Sequence, residues 1–297
     1  MSKKTLITGV NGMLGSFVVQ ELLQRPGLDV YGLGKSESNE WLDPEHYFQL
    51  NLLDLESLEK LLGELSPDVI VHCAAEVNLD RCESDPAYAD KIHRDVSAVL
   101  AACDPATTRV IYVSTDSVFD GKQGNYTEED KTHPLNYYAM SKFHGEEAVR
   151  KRGENYVILR TNIYGFKKNN GNSLFEWIAK KLSAGEGITG FDDLLFNPLY
   201  VGQLAQVIGD LIGNKYSGTL NAACDEFVSK YKFAVDIAHE FGWDESLVAK
   251  GNSDMFPAKL ERPKNTTLNT SKLNTVVGYV PSLKGGLQQL HKDFQSK

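Results

Sequence analysis

Tyr138 and Lys142 stand four residues apart in Tyr138-Ala139-Met140-Ser141-Lys142, a stretch that reads as the opening of a helix after the loop carrying His133-Pro134. That spacing puts a phenol and an ammonium on one helical face, a turn apart. A phenol with an ordinary pKa near 10 is a sluggish proton donor, and a neighbouring cation is expected to stabilise the phenolate and draw its titration toward the working range. A ketone that accepts hydride at carbon needs a proton at oxygen, and Tyr138 is the candidate donor. Thr115 ends the strand before it, in Val113-Ser114-Thr115-Asp116-Ser117-Val118-Phe119-Asp120-Gly121, where its hydroxyl could bond the same oxygen. Asp116 beside it is a candidate for holding substrate hydroxyls or the loop. A tyrosine four residues before a lysine is usually only a packed ring beside a solvated amine, so the pair takes its meaning from what surrounds it.

A second set of residues suits a phosphate-bearing ligand. The first strand ends in Thr8-Gly9-Val10-Asn11-Gly12-Met13-Leu14-Gly15, with glycines three apart at a strand-to-helix turn. Gly9 permits the tight turn, Gly12 lets backbone approach a pyrophosphate, and Gly15 lets helix pack closely on strand, while the helix N-terminus offers N–H groups and positive dipole. Asn11, Met13 and Leu14 lie between them on the same loop. The second strand is followed by Gly34-Lys35-Ser36, with no acidic residue before Glu37. A ribose 2′-hydroxyl is usually met there by a carboxylate, whereas a 2′-phosphate wants a cation and hydroxyl donors. Lys35 and Ser36 therefore favour NADPH, with NADH the other option and a simple solvated loop lysine the alternative reading. Asn51 and Leu52 follow the third strand, where they would border the adenine. Cys73, Ala74 and Ala75 follow the fourth, where small side chains would let backbone line the nicotinamide ribose or simply pack helix on sheet.

These residues converge only if the elements between them alternate. Apolar runs read as strands at 5–8, 29–33, 46–49, 69–72, 110–114 and 156–160, separated by helical spacing at 14–23, 55–65 and 90–102. Strand–helix alternation predicts an α/β fold, a Rossmann-type doubly wound parallel sheet, with all strand carboxyl ends at one edge where ligands bind. After Arg160 the rhythm changes to a glycine-rich loop at 165–172, a helix at 173–182, a loop at 191–200, a helix at 202–212, a strand at 218–223 and a helix at 229–241. The expected division is a nucleotide-binding domain over 1–162 with about 191–223, and a smaller substrate lobe from about 163–190 and 224–297. Asn162, Tyr164 and Arg262 are candidates for bordering a substrate in that lobe. Arg160 reads as a structural ion-pair residue.

The chain has 297 residues, 41% hydrophobic, enough to bury a large core. A net charge of −9 argues against nonspecific binding to nucleic acid, which needs clustered Lys and Arg. The four cysteines form no CxxC pair and the seven histidines no metal-ligand spacing, so no metal site is expected. No apolar run suits a membrane span and the start carries no signal-peptide pattern, which predicts a cytoplasmic protein. Whether the chain forms a homodimer is open.

In TGVNGMLG (8–15), HCAAEVNLDRCE (72–83), STDSVFDG (114–121), YTEED (126–130), YAMSKFHGEE (138–147), LRTNIYG (159–165) and ERPKNTTLNTSKL (261–273), the sequence resembles the extended short-chain dehydrogenase/reductase family, within it the dTDP-4-dehydrorhamnose reductase group. The resemblance implies Thr115, Tyr138 and Lys142 as catalytic triad, Lys142 also holding the nicotinamide ribose, and Gly9, Gly12 and Gly15 as pyrophosphate loop. It implies a nucleotide-sugar substrate in the carboxyl-terminal lobe, with NADPH reducing a 4-keto group. Two residues depart from the family pattern: Asp95 stands where an Asn usually supports the active-site lysine, and Ser117 replaces a common aromatic. Two other activities share this scaffold: an NAD-dependent epimerase or dehydratase that recycles hydride, and a non-catalytic subunit like the regulatory beta subunit of methionine adenosyltransferase, which keeps the Tyr-Lys pair.

Overall fold

The computed structural model describes residues 2–167, 171–255 and 260–296. Residues 168–170 of the expected glycine-rich loop lie outside the described residues. Six strands, β1 (Lys3–Thr8), β2 (Leu28–Gly34), β3 (Tyr47–Gln49), β4 (Val69–His72), β5 (Arg109–Val113) and β6 (Tyr156–Arg160), form one sheet with a seventh, Gly218–Asn221. Their order is β3-β2-β1-β4-β5-β6 and then Gly218–Asn221, every neighbouring pair parallel. The order reverses between β1 and β4, so the chain diverges there and leaves a crevice at the carboxyl ends of these two strands. The sheet is covered on both faces, and β4 and β5 are accordingly almost continuously apolar.

Local signals set the helix starts. Asn136 caps helix Tyr137–Arg150 by accepting from the Ala139 N–H at 3.0 Å, which fixes Tyr138 in its first turn. The helix buries Ala139, Ser141, Lys142, Gly145, Glu146 and Val149 on one side. A Cβ on Gly145 would lie 2.3 Å from the Tyr112 hydroxyl, so the missing side chain is what lets this helix press onto β5. Past β6, short strand pairs replace the large sheet: Ile163–Tyr164 with Leu199–Tyr200, Ile188–Phe191 with Val248–Gly251, and Leu195–Phe196 with Val228–Ser229. Among the described residues, no helix is long and apolar enough to cross a membrane.

Two expectations need correction. The helix expected over 90–102 is interrupted: Pro86–Asp90 runs into a π-helical turn, Lys91–Asp95, before Val96–Ala101. The stretch beyond the 229–241 helix, for which the spacing gives no element, contains two helices, Ser271–Val277 and Leu283–Gln295, whose Leu273, Leu287 and Leu290 join the main core.

Candidate active site

The strand-end glycine turn is tightly built. Gly9 has φ +70° and its N–H donates to Leu33 O at 2.9 Å. A Cβ there would sit 2.8 Å from Ala74 Cα, and one on Gly15 would sit 2.2 Å from Gly9 O. The turn, the end of β4 and the first helix thus meet backbone to backbone. Gly12 is the N-cap of helix Met13–Leu23 and brings no side chain to cover its first-turn N–H groups, which remain free for an anion. The cradle fits the pyrophosphate of a dinucleotide. Met13 is partly buried and Leu14 is a core residue, so Leu14 can offer only backbone.

Lys35 and Ser36 are exposed beyond β2, their carbonyls held by Gln49 Nε2 (3.3 Å) and the Tyr47 hydroxyl (2.6 Å). Asn11 Nδ2 donates to Ser38 O at 3.2 Å and ties this segment to the glycine turn. Asn51 is exposed and accepts from Leu53 N, whereas the Leu52 side chain is in the core. Cys73 and Ala74 are half-buried and Ala75 exposed; burial pushes the Cys73 thiol up to about 12, so it is an inert thiol.

Tyr138, Lys142 and Thr115 meet at the carboxyl end of β5. The Thr115 hydroxyl is a neighbour that favours the ionised form of the Tyr138 phenol, and it donates to Asp116 Oδ1 at 3.2 Å. Lys142, 2% exposed, donates to Val113 O at 2.7 Å and lies 4.2 Å above the Tyr112 ring. The electrostatics differ from expectation. Burial first, then the Asp116 charge, pushes the Tyr138 phenol up to about 12 against the pull of Thr115, and Lys142 is not among the groups that draw it down. Burial likewise pulls Lys142 down to about 7, with Glu146 opposing. Removing both groups from water favours the neutral form of each, and that outweighs the pull each was expected to exert on the other.

Two supports were not legible as site residues. Glu146, fully buried, accepts from Ser114 Oγ (2.6 Å), Arg160 Nε and Nη2 (3.0 and 2.8 Å) and Arg150 Nη2 (2.7 Å). Desolvation raises its carboxyl, but the arginines and Ser114 overcome this and hold it below the ordinary value. Arg160 is structural, as read. On the other side, His93 sits in the π-helical turn with its ring edge toward Tyr138 (centroids 6.1 Å apart). Ser141 Oγ donates to Tyr138 O (2.9 Å), so His93 Nδ1 donates to Ser141 Oγ (2.8 Å), and His93 Nε2 accepts from Glu76 N (3.1 Å). Burial pulls this imidazole down to about 2, and it stays neutral. Asp95 instead faces outward onto Arg94 at 2.7 Å, so the residue of this turn that meets the active-site helix is His93.

Asp116 is 2% exposed and accepts from Thr266 Oγ1, Asn162 Nδ2 (2.7 Å), Thr115 Oγ1 (3.2 Å) and Ser117 Oγ (3.2 Å). Burial raises its pKa despite these bonds. Asn162 therefore holds Asp116 directly. Tyr164 lies elsewhere: it is 2% exposed and packs on Phe233 and Tyr200 in the core, away from this edge. Arg262 is exposed. Its segment is tied back by Asn136 Nδ2 to Glu261 O (3.2 Å), beside the cap of the Tyr138 helix.

The chain matches the family described as the RmlD substrate binding domain over residues 3–296. It belongs to that family. This RmlD-family protein is 32% identical over 294 residues to the probable low-salt glycan biosynthesis reductase Agl14 of Haloferax volcanii, covering 97% of each chain. It is also 32% identical over 297 residues to methionine adenosyltransferase 2 subunit beta of Mus musculus, covering 97% of this chain and 87% of that one. Among solved structures it is similar to dTDP-4-dehydrorhamnose reductase of Bacillus anthracis in complex with NADP, with TM-score 0.86, 27% identity and coverage of 99% and 100%. The RmlD-family protein has the fold of these reductases, a seven-strand parallel sheet of the extended short-chain dehydrogenase/reductase kind.

Proposed function

We propose that this protein reduces the 4-keto group of a nucleotide-activated deoxysugar with NADPH, using Tyr138 as proton donor, Thr115 to orient the carbonyl and Lys142 to hold the nicotinamide ribose. The observation that carries the reading is Tyr138, fixed in the first turn of its capped helix beside Thr115 at the sheet edge, as a phenol that burial keeps protonated. A group held up at about 12 enters a reaction as an acid, which supports reduction over a cycle that must begin by removing a proton from a sugar hydroxyl. The nicotinamide supplies the hydride when bound. Gly9, Gly12 and Gly15 would hold its pyrophosphate, Lys35 and Ser36 the 2′-phosphate, and Cys73, Ala74 and Ala75 would line the ribose. Asp116 and Asn162 fix the Thr115 end of the site, with residues of the carboxyl-terminal lobe, Arg262 among them, on the substrate.

The test is oxidation of NADPH, and separately NADH, with dTDP-4-keto-6-deoxy sugars before and after 3,5-epimerisation. Tyr138→Phe should keep cofactor binding and lose about 10²–10⁴ of turnover; retained turnover sinks the mechanism. The similarity to the methionine adenosyltransferase beta subunits supports a second reading, a non-catalytic nucleotide-binding subunit. Cofactor binding without turnover on any keto sugar, together with co-purification of a partner enzyme, would favour it.

A further inference from the structure

Lys230 opens helix Lys230–Phe241 directly after its cap, Ser229, and its backbone N–H is tied to Leu194 O at 3.0 Å. Strand Val228–Ser229 pairs with Leu195–Phe196, which brings the Lys230 ammonium to 3.2 Å from the centroid of the Phe196 ring. Among the described residues this ammonium has neither a hydrogen bond nor an ion pair within 4 Å, although it lies within electrostatic range of two charges, Asp116 and Arg262. Asp116 is already committed to Thr266, Asn162, Thr115 and Ser117. The other nearby carboxylates are committed too, Asp192 to Lys250 and Ser229 and Asp193 to Lys264 and Ser253. Arg262 carries no ion pair among the described residues, and its segment is locked in place where Pro263 packs on Gly121. Ser229 pairs with Leu195, whose carbonyl accepts from Thr266 N at 3.0 Å, and Thr266 Oγ1 donates to Asp116, so in a chain of net charge −9 two cations without carboxylate partners on this side of Asp116 are a local demand for an anion.

We propose that Lys230 is the specificity-determining residue for a diphosphate: its ammonium takes the phosphate next to the sugar, while Asp116 behind it keeps Thr115 on the reacting carbonyl. The assignment rests on the sugar-nucleotide reading above. It goes to the sugar-side phosphate because Lys230 is coupled to Asp116, the neighbour of Thr115, while Arg262 lies farther out on the exposed rim. Desolvation, only partly offset by Asp116 and reinforced by Arg262, brings Lys230 down to about 8, so its hold on an anion should weaken in mild alkali.

The probe is dTDP, with dTMP as the ligand lacking the second phosphate, titrated by calorimetry into NADP⁺-loaded protein. Lys230→Met should weaken dTDP by about 10-fold or more, the worth of a charge-assisted hydrogen bond, and change dTMP by less than about 3-fold. Lys230→Arg should restore dTDP affinity, and should keep it as pH rises from about 7 to 9 while wild type loses it. NADP⁺ affinity, unchanged in both variants, reports that they are folded; if Lys230→Met fails this control, the pH contrast between wild type and Lys230→Arg decides alone. Equal dTDP binding by wild type and Lys230→Met overturns the assignment and leaves the reductase reading intact. No binding of either dTDP or UDP to wild type overturns both.

Discussion

Replacing Lys142 by methionine should make the protein more stable while abolishing its activity. Lys142 is 2% exposed and burial holds it at about 7, against an ordinary 10.5. At ~1.4 kcal/mol per unit, keeping that amine charged near neutral pH costs roughly 4–5 kcal/mol of folding free energy. Against this stands the bond to Val113 O, which as a hydrogen bond from a charged donor contributes about 1.5–3 kcal/mol and leaves a carbonyl unpaired when removed. Methionine matches the length of the aliphatic stem and gives up only the ammonium's contact with the Tyr112 ring, so the net expectation is a gain of about 1–3 kcal/mol, or roughly 2–5 °C in Tm. The sign of the pH dependence follows from the depressed pKa. The folded chain releases its proton more readily than the unfolded one, so the penalty is fully present below about 7 and is relieved as pH rises toward 10.5. Thermal unfolding of cofactor-free protein between about pH 6 and 9 should show wild type catching up with Lys142→Met as pH rises. A variant midpoint below wild type throughout, or parallel pH profiles, would refute the reasoning.

Other outcomes follow from the same site. Glu146→Gln leaves Arg160 buried with its partner's charge gone and should destabilise the fold by about 3–5 kcal/mol in chemical denaturation; a loss under about 1 kcal/mol would show that Ser114 and water suffice. Lys35→Ala should lower kcat/KM for NADPH by about 10-fold and leave NADH unchanged, and equal effects on both cofactors would remove Lys35 from the 2′-phosphate. Because Lys142 titrates at about 7 and Tyr138 at about 12, cofactor affinity should fall as pH rises through neutrality, while kcat at saturating cofactor should show no alkaline limb from the phenol below about pH 11. A kcat limb near pH 8 to 9 would mean that the bound state restores the Tyr–Lys coupling.

The sheet was legible because buried parallel strands are written as apolar runs of limited length: the bounds of β4 and β6 agree with the reading residue for residue, and β5 is displaced by one. Gly9 and Gly15 were legible for a different reason, since contacts of under 3 Å to a neighbouring backbone admit only hydrogen at Cα. What the pattern could not convey was direction. The π-helical turn shifts the residue facing Ser141 to His93 and turns Asp95 out to Arg94, a change of phase that apolar spacing at Ile92, Val96 and Leu100 does not reveal. Lys230 was hidden for a related reason. Its place beside Asp116 comes from a two-residue antiparallel pair between Leu195–Phe196 and Val228–Ser229, too short to leave a periodic signal, although Ser229 before a helical run marks the cap that orients it.

The same physics that hid these residues explains why the sequence-level electrostatics pointed the wrong way for Tyr138. Four-residue spacing says that two groups share a helical face and says nothing of the dielectric they share it in. Here the helix is pressed onto β5 by Gly145, the Lys142 amine is drawn to the Val113 carbonyl, and Glu146 spends its charge on Arg150 and Arg160. Lys142 is left short of counter-charge and Tyr138 short of cation. A site tuned this way holds a protonated phenol beside an amine poised to change charge near neutral pH, and the phenol's state is the one suited to delivering a proton to a carbonyl.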